Sequence, residues 1–371
     1  MRGWSKIIVS CTTSLRPFPA SRARRYIAGA IATSTNRVAL VVAAVTPAWR
    51  WHAHLEDTTL SELPVVVALG GNAISPPGGR NPIPAQFERT RETAYHLVHL
   101  TERPLLVTHG NGPQVGNVLL RSDLAAHVLP RLPLDVCVAD TQGGMGYMIQ
   151  QCLDNAFCEA GVRRPTVTVA TRTVVEFDDP AFQHPSKPIG NFYGEAEARQ
   201  HMAADGWVMR EDAGRGWRRV VPSPDPKEIV EERAIRTLLA TGAIVVAVGG
   251  GGIPVVRQAD GSLVGVEAVV DKDLATALLA ANIGAEVLLL LTGIDHVALD
   301  FGRPTQRDLH QVGAAALAGH AAQGQFAAGS MLPKVQAALR FLERGGRRAV
   351  ITTAELSEKA LAGDAGTQIL S

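Results

Sequence analysis

Val65-Val66-Val67-Ala68-Leu69-Gly70-Gly71-Asn72-Ala73 joins a short apolar run directly to two glycines and an asparagine. A run this short, β-branched and free of charge reads as a strand buried on both faces, and the glycines after it read as a tight turn. The same theme returns along the chain. Apolar runs at Leu105–Thr108, Thr166–Ala170, Ala243–Val248, Val287–Leu291 and Ala349–Thr352 are separated by stretches of helical character. In Gln86–Glu102, Phe87, Ala94, Leu97, Val98 and Leu100 make a broad apolar face, and in Met331–Glu343 Val335, Ala338, Leu339 and Leu342 do the same. Strands alternating with crossover helices predict a three-layer α/β/α sandwich around a mainly parallel sheet.

One segment breaks the rhythm. From about Val175 to Pro226 the chain is rich in charge, aromatics, Gly and Pro, which predicts an inserted, protruding lid subdomain. Ligands of parallel sheets sit at the strands' C-terminal ends, so an insertion springing from that edge would overhang the site.

Three of the turns hold little but glycine and small polar residues: Gly70-Gly71-Asn72-Ala73, His109-Gly110-Asn111-Gly112-Pro113 and Gly249-Gly250-Gly251-Gly252-Ile253-Pro254. Glycine lets successive backbone N–H groups converge on an anion, and a following helix N-terminus adds its positive dipole end. Any one of these turns alone is an ordinary strand-to-helix connection. Three at one sheet edge point to a polyanion. The Walker pattern GxxxxGK followed by Ser or Thr is absent, and no GxGxxG opens the first unit as a dinucleotide site requires.

Lysine is scarce: Lys6, Lys187, Lys227, Lys272, Lys334 and Lys359 are the whole set. Lys187 lies in Ser-Lys-Pro-Ile-Gly, Lys272 in Asp-Lys-Asp and Lys334 in Ser-Met-Leu-Pro-Lys, whereas the other three read as surface charges. An ammonium is a compact point charge that can follow a migrating phosphoryl group, which suits a reaction catalysed by alignment and charge compensation. Asp271 and Asp273 flank Lys272 at the expected start of a helix. Capping is the expectation for Asp271; Asp273 is expected to hold lysine ammonium groups in place.

These residues together resemble the carbamate kinases, of the amino-acid-kinase fold. The likeness runs from Pro64 to about Gln368 through VVVALGGNAI, THGNGPQVGN, DTQGGMGY, PSKPIG, EDAGRGWRRVVPSP, GGGGIPVV, GVEAVVDKD, LLTGIDHV and GSMLPK. The resemblance implies a homodimer and reversible transfer between ATP and carbamate, with Mg2+ carried on the nucleotide phosphates and no protein ligand to the metal. It implies that Gly70, Gly71, Asn72, Gly110, Asn111 and Gly112 face carbamate and the transferring group. Lys187 would come from the protruding subdomain, Lys272 and Lys334 would contact phosphates, and Asp273 would organise the lysines. Gly249, Gly250, Gly251 and Gly252, with Lys272 and Lys334, are the expected nucleotide-binding set. Related amino-acid kinases usually carry a lysine on the first strand; here that strand reads Pro64-Val65-Val66-Val67-Ala68-Leu69, and Lys187 in the insertion fits the carbamate kinases instead. The chain departs from the pattern in its N-terminal extension and in Arg210, Arg218 and Arg219.

The 371 residues are 46% hydrophobic and 19% charged, enough for a sizeable core. Residues 1–55 hold eight Lys and Arg but no Asp or Glu, so the formal net charge of +1 leaves −7 from position 56 onward. A mildly acidic body has no electrostatic footprint for nucleic acid. The most apolar part of the basic segment, Val38–Val45, is far short of the roughly 18 residues of a membrane span. A presequence, a disordered arm and a translation start set too far upstream all suit residues 1–62; the last is favoured, since a complete domain, 63–371, begins beside Pro64. The four cysteines form no CxxC pair and the eleven histidines no metal-ligand spacing, so a reduced, cytoplasmic setting without structural zinc is expected. Two further readings remain: another amino-acid kinase with a larger carboxylate substrate and an Arg or Asn clamp, or a non-catalytic nucleotide-binding regulator.

Overall fold

A computed structural model describes residues 63–76, 82–100, 102–212, 214 and 216–371. The expectations for residues 1–62 fall outside the described residues. The central sheet has eight strands: β1 Val65–Leu69, β2 Leu105–His109, β3 Thr166–Thr168, β4 Ile244–Val246, β5 Val287–Leu291, β6 Gln311–Gly313, β7 Arg348–Thr352 and β8 Thr367–Leu370. They lie in the order β6-β8-β7-β5-β1-β2-β4-β3, and every neighbouring pair is parallel except β7 with β8. Each expected run supplies one strand; β6 and β8 were not anticipated. The run expected over Thr166–Ala170 ends as a strand at Thr168. That expected over Ala243–Val248 ends at Val246, and Val248 turns the chain away with φ 53°.

The layering follows from the strand period of two. Val65, Val67 and Leu69 of β1 face one core and Val66 and Ala68 the other, all at most 1% exposed. The first core is closed by α1 (Ile83–His96) and α3 (Leu134–Glu159), through Ala94, Met145, Ile149 and Leu153. The second is closed by α4 (Lys272–Asn282) and α5 (Met331–Glu343), through Ala275, Leu279, Val335 and Phe341. This is the expected α/β/α sandwich. The helix expected at Gln86–Glu102 instead starts at Ile83, behind Pro82, and closes at His96 before a separate 3-10 turn, Val98–Leu100.

The segment expected to protrude has its base in a second sheet. The chain leaves through Arg172–Val174 and returns through Glu228–Ile229, an antiparallel pair in a second, four-stranded sheet with Ile253–Arg257 and Leu263–Gly265. Between these points lie helix Glu195–Ala204 and a three-stranded antiparallel sheet of Lys187–Tyr193, Trp217–Val221 and Met209–Glu211. Ile189 and Val221 of this sheet pack with Val115 and Leu119 of α2 (Gly112–Leu124) and with Leu134 and Val138 of α3. That apolar seam sets Lys187 over the C-terminal edge of the central sheet.

Candidate active site

A cleft of ≈ 590 Å3 opens at that edge, and Gly71, Asn72, Gly110, Asn111, Gly112, Lys187, Lys272, Asp273 and Lys334 all line it. The chain turns here because β1 and β2 end side by side, at Leu69 and His109. Helix α2 then begins at once, with Asn111 at its N-cap and Gly112 and Pro113 in its first turn. Helices α4 and α5 begin at the same cleft, at Lys272 and Met331. Three helix N-termini thus turn positive dipole ends to one volume, which favours an anion; at α4 the Asp271 carboxylate already caps the Asp273 and Leu274 N–H groups, and at α5 the Ala327 carbonyl accepts from Met331 and Leu332.

Three lysines line the cleft. Lys272 Nζ lies 2.6 Å from Asp273 Oδ1 and Lys334 Nζ 2.9 Å from Asp273 Oδ2. One carboxylate therefore fixes two ammonium groups that are 62 residues apart in sequence numbering at their far ends (272 to 334). All three side chains are nearly buried, so solvent screens these pairs little. Burial alone would push the Asp273 carboxyl up, but the Lys272 and Lys334 charges and their hydrogen bonds overcome it and hold Asp273 well below the usual carboxylate range. Burial pushes the Lys272 ammonium down, and Lys334 adds to that against the pull of Asp273. A ligand with negative charge would relieve the crowding of Lys272 and Lys334.

Lys187 arrives from the protruding subdomain. Its Nζ lies 2.6 Å from Asp271 Oδ2, while Asp271 Oδ1 accepts from the backbone N–H of Asp273 at 2.9 Å and of Leu274 at 3.3 Å. Asp271 is thus the helix cap that was expected, and it also binds a lysine, which was not. The signal was present in Asp271-Lys272-Asp273, but spacing does not say that a side chain from residue 187 will reach it.

Not every expected glycine faces the cleft. Gly70 is buried behind it, where a Cβ would stand 2.5 Å from the Leu291 carbonyl oxygen. Of the four consecutive glycines only Gly250 is in the lining; Gly249, Gly251 and Gly252 are not. A Cβ on Gly249 would stand 2.5 Å from His109 Nε2, and one on Gly250, whose φ is 66°, would strike the Asn111 side chain. These glycines let the turn pack closely against His109 and Asn111 at the end of β2. Gln142 of α3 staples it there, donating to the Gly249 and Thr171 carbonyls and accepting from Thr171 N–H. Asn111, in turn, donates to Thr141 Oγ1 at 2.9 Å. Thr141 and Gln142 lie in the DTQGGMGY stretch, to which the sequence reading assigned no task.

The other half of the cleft was missed. Thr292 and Gly293 follow β5, and Ile294, Ala298, Phe301, Phe326 and Met331 give an apolar wall. Phe301 lies at the open side of that wall and is 69% exposed.

The amino acid kinase family model matches residues 64–353, which takes in both halves of the cleft. The chain belongs to the amino acid kinase family. With it goes the general chemistry of the family: this is a phosphotransferase enzyme. Among its relatives, the carbamate kinase of Pyrococcus horikoshii is 47% identical over 309 residues, 82% of this chain and 98% of that protein. A carbamate kinase-like protein of Escherichia coli K12 is 46% identical over 311 residues, again 82% of this chain and 98% of that one. The solved carbamate kinase from Giardia lamblia bound to AMP-PNP shares the fold with a TM-score of 0.78 and 41% identity, covering 84% of this chain and 99% of its own. No helix among the described residues is long and apolar enough to cross a membrane.

Proposed function

We propose that this amino acid kinase is a carbamate kinase, transferring a phosphoryl group reversibly between ATP and carbamate. The observation that carries the reading is the convergence of Lys187, Lys272 and Lys334, from three separate elements, on one cleft with glycine turns at one end and an apolar wall at the other.

In this reading the backbone N–H groups around Gly71, Asn72 and Gly110 to Gly112 orient carbamate and the group in transfer. Lys272 and Lys334 meet the nucleotide phosphates, and Lys187 meets the charge that develops on the equatorial oxygens as the phosphoryl group moves. Asp273 keeps two of the three cations in register. The apolar wall of Ala298, Phe301 and Phe326 suits a nucleobase. Both carboxylates among the cleft residues, Asp271 and Asp273, already hold lysines, so Mg2+ fits here as a passenger on the nucleotide phosphates. Bound there, it would neutralise phosphate charge during transfer. A homodimeric, cytoplasmic enzyme of carbamoyl phosphate breakdown, including that fed by arginine, completes the proposal.

The test is ATP formation from ADP and carbamoyl phosphate with Mg2+, followed by a coupled assay. ATP formation that depends on both enzyme and carbamoyl phosphate is expected. No turnover with carbamoyl phosphate would overturn the reading.

A further inference from the structure

Asp271 joins the protruding subdomain to the helix that carries the lysine clamp. Its two oxygens serve different partners: Oδ1 caps α4 through the N–H groups of Asp273 and Leu274, and Oδ2 receives Lys187 Nζ at 2.6 Å. Two residues further on, Asp273 grips Lys272 and Lys334. The segment that leads to Asp271 is itself tied to the subdomain, because Val269 N–H donates to the Pro222 carbonyl and the Val269 side chain packs with Ile189 and Val221. The Asp271 side chain is only 12% exposed but that of Lys187 is 35% exposed, so screening of the pair lies between that of a buried and that of a surface ion pair.

We propose that Asp271 is a positioning residue for phosphoryl transfer, holding the Lys187 ammonium over the transferring group and coupling closure of the subdomain to the start of α4. A lysine has a flexible four-carbon stem, and a single charged hydrogen bond on one of its three N–H groups fixes its direction and leaves the other two for substrate oxygens. Asp271 touches no reacting atom in this scheme. The proposal rests on the assignment of Lys187 to the chemical step.

Asp271→Asn retains an oxygen for the helix cap and loses the charge that holds Lys187. It should lower kcat about tenfold, roughly the loss of one charge-assisted hydrogen bond, with KM for ADP and the thermal midpoint nearly unchanged. Hydrogen exchange at the backbone amides of Lys187–Tyr193 and Trp217–Val221 should quicken. Placed in a Lys187→Ala background, Asp271→Asn should change kcat by less than about twofold, the limit of ordinary additivity error. Asp271→Ser, which keeps the cap with a shorter side chain, should behave in the same way. An equal further loss of kcat in the Lys187→Ala background, or unaltered exchange, would overturn the proposal; so would failure of both variants to fold, which would assign Asp271 to the fold alone. Hydrogen exchange needs no substrate, so it still decides the coupling if the wild-type protein proves inactive toward carbamoyl phosphate.

Discussion

Gly116 in α2 and Gly190 in the strand Lys187–Tyr193 touch so closely that a Cβ on Gly116 would stand 2.8 Å from the Gly190 Cα. The protruding subdomain can rest on α2 at this depth only because Gly116 has no side chain; a Cβ on Gly190 would meet nothing, and it is the φ of 68° that favours glycine there. Gly116→Ala should therefore push the strand outward, three residues from Lys187. A cost of about 1–3 kcal/mol is expected for such overpacking, against a small gain from better helix propensity, together with a lower kcat. The thermal midpoint and kcat measured on one preparation check this. Wild-type values for both would show that the strand yields freely.

Lys187 should act chiefly on the chemical step, because it reaches the cleft from an element outside the sandwich. Lys187→Ala should lower kcat by roughly 10²-fold or more, comparable to the loss of one strong electrostatic donor, with a smaller change in nucleotide KM. Steady-state kinetics at saturating ADP decide it, and an unchanged kcat would leave Lys187 as an ordinary surface cation.

Asp273 and its two lysines should behave as one unit. Asp273→Asn keeps the shape but frees two like charges to move apart, so ADP should still bind while turnover falls steeply. Lys334→Ala should weaken ADP binding as well, since its charge meets phosphate in the ground state too. Adding Lys272→Ala to Asp273→Asn should cost less than the two single effects combined. Full additivity in kcat, or wild-type turnover in Asp273→Asn, would sink the clamp and favour a nucleotide-binding regulator.

His109 predicts a pH dependence of stability. Its ring is 1% exposed beneath the tetraglycine turn, and burial lowers its pKa from 6.5 to about 4, with the Lys272 charge adding to the fall and the hydrogen bond to the Gly110 carbonyl opposing it. Between those two values the unfolded chain takes up a proton that the native ring refuses. Native stability is therefore whole above about pH 6.5, declines as the pH falls toward 4, and loses nothing further from this group below that. The limit is about 3 kcal/mol. Denaturant unfolding at a series of pH values should show this slope in the wild type and a shallower one in His109→Gln; equal slopes would remove His109 as its source.

A chain beginning at Leu63 should keep both its turnover and its thermal midpoint. The family match starts at residue 64, and the Pyrococcus horikoshii relative is covered over 98% of its length by 82% of this chain. Loss of folding in the shortened chain would place part of residues 1–62 in the domain.

Strand-and-helix alternation, the glycine turns and the three lysines that line the cleft were legible in the sequence because each is written locally. A buried parallel strand needs an unbroken apolar run, a turn around phosphate needs residues without side chains, and lysine is so rare here that its contexts stand out. Contacts between distant segments carry no such local mark. Which oxygen of Asp271 meets Lys187, 84 positions away, depends on how the subdomain packs on α2 and α3. The same is true of Gly70, Gly249, Gly251 and Gly252. Sequence shows that no side chain is needed there, and only the fold decides whether the freed space admits a ligand or, as found, a neighbouring strand, ring or backbone. The apolar wall around Phe301 and Phe326 is likewise assembled from separate loops after β5 and before α5, so no periodicity announces it.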